Sequence, residues 1–125
     1  MIIFNHPLIE TLNLIFIKEK IQIQKTLPRD FLILENNDST SLVKLAKYCQ
    51  NNNLNFSAIP KNTTEALLLV NLNARYLLTK NLKLAKTLQK LAEVYLFDAK
   101  ILLCITEESK IQKAAKLGID GVIFV

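Results

Sequence analysis

Residues 100–125 read KILLCITEESKIQKAAKLGIDGVIFV, and this stretch decides the fold. KILLCI and GVIFV are apolar runs without polar alternation, the pattern of strands buried on both faces. Between them SKIQKAAKLG reads as a helix, closed by Gly118 at the position where a left-handed residue ends a helix. Strand, helix and strand in that order predict a βαβ unit with parallel strands.

Working upstream, the same unit repeats. FLILE (31–35) is a short apolar run, followed by the N-cap candidates Asn37, Asp38 and Ser39. Leu42, Leu45, Ala46 and Cys49 then form an amphipathic stripe that Asn51-Asn52-Asn53 ends. NFSAI (55–59) is the next strand, and Asn62 with Glu65 resembles a capping box for the helix TEALLLVNL. RYLLT (75–79) leads into LKLAKTLQKLAEVYLF, whose Leu84, Leu88, Leu91, Ala92 and Tyr95 are expected on one buried face. In the first thirty residues IIF and NLIFI read as strands bridged by HPLIETL. KEKIQIQKTL reads as a short helix before Pro28, although IQIQ alternates like a strand.

The expected fold is therefore one α/β domain over 1–125. It is a three-layer structure on a mainly parallel sheet of about five strands from the βα units of 31–125. One or two edge strands come from the segment 1–30. Right-handed crossovers leave two arrangements, a doubly wound sheet or a piece of a barrel. No helix follows the last strand, so one apolar face must be covered by the N-terminal segment or by another chain.

Composition narrows the function. Half of the 125 residues are apolar and 22% are charged, which excludes a disordered chain. Cys49 and Cys104 sit where small hydrophobes belong and read as buried thiols, with no histidine at metal-ligand spacing. The N-terminus lacks the regions of a signal peptide, and the apolar stretch 66–70 is far short of the ~20 residues a membrane helix needs. The expected setting is cytoplasmic, without a membrane partner. The net charge of +5 invites a nucleic-acid reading. All but Arg29 and Arg75 of the sixteen basic residues are lysine, and no aromatic residue interleaves with Lys83, Lys86 and Lys90 or with Lys110, Lys113 and Lys116. Solvated helix faces explain these lysines better, because base readout and stacking use Arg and aromatic groups.

Open parallel sheets bind ligands beyond the carboxyl ends of their strands. Those ends carry the candidate ligand-binding residues Glu35, Asn36, Thr79, Lys80 and Thr106, which can converge on a phosphate or another small polar ligand. Helix capping is the competing reading of the Asn, Thr and Asp residues there. Glycine occurs only at 118 and 121, so neither phosphate-loop motif is present. His6 is the only histidine and reads as a surface residue near a terminus. Glu107 and Glu108 suit a helix start, where the macrodipole favours carboxylates. No catalytic residue, metal site or cofactor is expected.

FLILENN, KNTTEALLLVNLNARYLLT, and ILLCIT followed by AAKLGIDGVIF resemble, in order and spacing, a response-regulator receiver domain of flavodoxin-like fold. The resemblance implies that Glu35 matches one of the acidic magnesium-binding positions, while Asn36 replaces the other. Thr79 stands in place of the phosphoacceptor aspartate, Thr106 fits the family hydroxyl, and Val125 falls where a lysine belongs. Without the aspartate carboxylate no aspartyl phosphate can form. CITEESKIQKAAKLGIDGVIFV (104–125) also resembles the closing βαβ of TIM barrels, glycerophosphodiesterases among them, whose acidic ligands and histidines have no counterpart here. The sequence thus points first to a non-catalytic, receiver-like interaction module with a protein partner or a second copy of itself. The alternative is a small-ligand or phosphate-binding protein, or an enzyme, with its site at the strand ends.

Overall fold

In the computed structural model, which describes residues 1–125, twelve elements follow one another. They are β1 (Ile2–Phe4), β2 (Leu14–Ile17), α1 (Lys20–Gln24), β3 (Phe31–Leu34), α2 (Ser39–Asn51) and β4 (Ser57–Ala58). Then come α3 (Thr63–Asn71), β5 (Tyr76–Thr79), α4 (Leu82–Tyr95), β6 (Lys100–Ile105), α5 (Ser109–Lys116) and β7 (Gly121–Phe124). Each long helix starts where a short polar side chain replaces a missing backbone partner. Asp38, Asn62 and Asn81 accept from the N–H groups of Ser41, Glu65 and Leu84. The IQIQ ambiguity resolves as a helix: Gln22 accepts from the backbone N–H groups of Lys18 and Glu19, which fixes the first turn.

All seven strands are parallel, in the order β1-β7-β6-β5-β4-β3-β2. Five of them come from the repeated βα units, and the two N-terminal strands occupy the two edges. From β2 to β7 the order runs without reversal, and right-handed crossovers then carry every intervening helix over the same face. Packing agrees. Ile23, Leu45, Ala66, Leu88 and Ala114, one from each helix, share a cluster with Ile17, Leu34, Leu77, Ile101 and Leu103 of the strands.

The opposite face holds Ile33, Leu78, Leu102, Cys104 and Ile123, with no helical residue among them. The sheet covers this face by curling. Phe4 of β1 packs edge to face on both Phe31 of β3 and Tyr76 of β5, with ring centroids 5.5 and 5.1 Å apart. The layers are therefore the helices, the sheet and the facing wall of the same sheet.

Two local expectations change. The buried stripe of α4 is Ala85, Leu88, Gln89 and Ala92, while Tyr95 is exposed. Alanines bring the helix close to the sheet, and Gln89 is buried because it is paired: its amide donates to Asp120 Oδ1 and its Oε1 accepts from the Asp120 N–H. The strand expected over 55–59 shortens to Ser57–Ala58. No helix of the chain is long and apolar enough to cross a membrane.

Candidate functional site

Parallel strands point all their carboxyl ends the same way, so a curled parallel sheet has one mouth where the βα loops meet. A cavity of about 560 Å³ occupies that mouth. This lies within the range of small-molecule sites, about 300–1,000 Å³. Its walls are apolar: Phe16 from β2, Ile59 after β4, Leu78 from β5, Cys104 from β6 and Val125 after β7. Glu35, Thr79, Lys80 and Asn81 supply its polar groups. A side cleft of about 380 Å³ adjoins it, lined by Leu82, Thr106, Glu107, Lys110 and Lys113, with Lys80, Cys104 and Val125 common to both cavities.

The structure thus gathers Glu35, Thr79 and Lys80 around one cavity and places Thr106 in the neighbouring cleft across Lys80. Asn36 stands apart. It lines a smaller hollow with Lys18 and Lys61, and its side chain is used locally: the amide donates to the Lys18 carbonyl and Oδ1 accepts from the Asp38 N–H. Thr79 Oγ1 accepts from the Asn81 N–H, which sets the turn carrying Lys80. Lys80 forms no salt bridge; the ion pairs of the chain are His6–Glu108 and Lys61–Glu65.

Behind the mouth, a buried carboxylate holds two of its loops. Glu65 accepts from Lys61 Nζ at 2.7 Å, from the Lys61 backbone N–H and from the Ser39 hydroxyl at the start of α2. Burial pushes the Glu65 carboxyl up, but these bonds together outweigh it and hold the group below its ordinary range. Burial pushes the Cys104 thiol up to about 11, partly opposed by the Lys80 ammonium. At neutral pH Cys104 is therefore a neutral, soft wall of the cavity. Cys49 is a buried thiol as well.

His6 is buried, contrary to the surface position expected for it. Its Nδ1 accepts from the Leu8 N–H, its Nε2 bonds the Glu108 carboxylate, and its ring packs edge to face on Phe124. The imidazole ties the turn after β1 to the start of α5. Sequence reasoning missed this tie and the apolar walls of the mouth. Leu78 and Cys104 sit in apolar runs that do not mark which residues face the mouth, and the 102-residue separation of His6 and Glu108 left no signal either. No three His, Cys, Asp or Glu side chains come together as a metal site. Compared with known proteins, the chain matches no family model and no curated protein.

Proposed function

We propose that this chain is a binding protein for a small anionic ligand, held at the carboxyl-end mouth of its curled sheet. One observation carries the reading: Lys80, a cation without an ion-pair partner, stands between a central cavity and a cleft lined by Lys110 and Lys113 at the one end of the sheet where the βα loops converge. Lys80 supplies the charge, Thr106 a hydroxyl, and Glu35 an acceptor on another wall. The role is binding rather than turnover, since the sole imidazole is engaged with Leu8 and Glu108 and the wall thiol is held neutral. Thermal shift tests this with a set of small phosphate-bearing and uncharged compounds. Phosphate-bearing members should raise the melting temperature of the native protein and not of Lys80→Ala. Equal shifts in both proteins, or no shift with any anion, would refute the reading.

A second reading, an interaction module of receiver-like type that is not phosphorylated, draws on a different surface. Val94, Tyr95 and Leu96 at the end of α4 are 71%, 68% and 82% exposed, a run of three apolar side chains in water. Light scattering over a concentration series tests self-association through it. A dimer abolished by Val94→Lys favours the module, and a monomer throughout removes this form of it.

A further inference from the structure

We infer that the ligand is bipartite: a phosphate-type dianionic end group in the side cleft, joined to an apolar or aromatic body in the central cavity. This rests on the mouth being a ligand site. Each compartment has its own chemistry. The side cleft carries Lys80, Lys110 and Lys113, none in an ion pair, with Thr106 as a hydroxyl donor. The single carboxylate on its wall, Glu107, accepts from the Ser109 hydroxyl. Three ammonium groups against one carboxylate favour a dianion over a neutral or singly charged group, and lysine serves phosphate as a point charge.

The start of α5 adds to this. In α2, α3 and α4 a side chain caps the leading N–H groups, whereas α5 has no side-chain cap. Glu108, in the N-cap position, is engaged by His6 instead. The N–H groups of Lys110 and Ile111 bond back to the carbonyls of Glu107 and Glu108, so only the N–H groups ahead of them are left for an anion beside Thr106. Apolar side chains line both compartments, Leu82, Leu103 and Ile105 in the cleft and Phe16, Ile59 and Leu78 in the central cavity, but the central cavity sets Lys80 against Glu35 and so carries no excess of positive charge. Lys80 lines both compartments, so an anion on one side of it and a ring on the other belong to one molecule of modest size.

The test titrates phenyl phosphate and inorganic phosphate into the native protein, Lys110→Ala/Lys113→Ala, Lys80→Ala and Cys104→Leu, followed by calorimetry or amide NMR. Phenyl phosphate should bind the native protein about tenfold more tightly than inorganic phosphate, since the ring leaves water. Lys110→Ala/Lys113→Ala, exposed and without effect on folding, should weaken both probes about fivefold. Cys104→Leu should weaken phenyl phosphate alone; should that variant fail to fold, the ratio of the two probes on native protein decides the point. Equal affinity for the two probes overturns the bipartite ligand. So does phenyl phosphate binding that Lys80→Ala weakens while the double variant leaves it unchanged, a result that spares the mouth as a site. If neither probe binds, or Lys80→Ala changes nothing, the mouth reading fails with it.

Discussion

Phe4 meets Phe31 edge to face at 5.5 Å between ring centroids, although β7, β6, β5 and β4 stand between their strands in the sheet. Only a sheet rolled towards closure brings these two rings together. In register Phe4 lies beside Ile123 and Cys104, yet it touches Tyr76 at the amino end of β5. That offset is the strand tilt that rolling a sheet demands. Phe4→Ala should cost about 3 kcal/mol, and Phe4→Leu under about 1.5 kcal/mol, by denaturant titration.

Gly121 is where β1 can approach β7. A Cβ there would lie 2.4 Å from the Ile2 carbonyl oxygen, 2.6 Å from the Ile2 Cβ and 2.9 Å from Leu102. Backbone cannot yield as a side-chain tip can, so Gly121→Ala should displace the edge strand and cost about 2 kcal/mol or more. Gly118 differs. Its φ of +70° favours glycine, but the space around it is open, so Gly118→Ala should cost only about 1 kcal/mol. Equal losses in the two variants would contradict the close approach of β1.

Glu65 gives stability a pH dependence of known sign. Its carboxyl is held below the ordinary 4.5, so the folded chain binds this proton more weakly than the unfolded chain does. The contribution is complete above that value and is lost as pH falls through it. Glu65→Gln removes the titrating group. The stability gap between native and variant proteins should therefore shrink as pH falls from about 6 to about 3. Urea midpoints over that range check it, and a constant gap would contradict the assignment.

His6→Ala should remove the tie between the first turn and α5. The loss should be about 1 kcal/mol, because a part-buried bond to the exposed Glu108 carboxylate disappears together with packing on Phe124. Hydrogen exchange should quicken in residues 2–10 and 107–111 before it does so in β5 and β6.

How much of this was legible follows from where the information lies along the chain. Apolar runs and adjacent caps are local, so β3, β5, β6 and β7 and the helices from α2 to α5 stand out in sequence. Lys80 and Thr79 were identifiable because strand ends are. The curl was legible only as one of two arrangements, a piece of a barrel, since it rests on Ile2 pairing with Gly121 and on Phe4 reaching Phe31. The expected buried face of α4 was right at Leu88 and Ala92, with Leu84 packed beside them, but it missed Ala85 and Gln89, which Leu91 and Tyr95 outrank in hydrophobicity and which close approach and the bond to Asp120 select. The apolar walls of the mouth became visible only once curling had set Phe16 and Val125 around the same space.

Ligand binding at the carboxyl-end mouth is read most directly by amide-resolved NMR with phenyl phosphate. Saturable shifts should concentrate in residues 35, 79–82, 104–107, 110–113 and 125. Shifts concentrated instead at the amino-end hollow formed by Phe31, Asn55, Arg75 and Tyr76, or no saturable shifts, would contradict it.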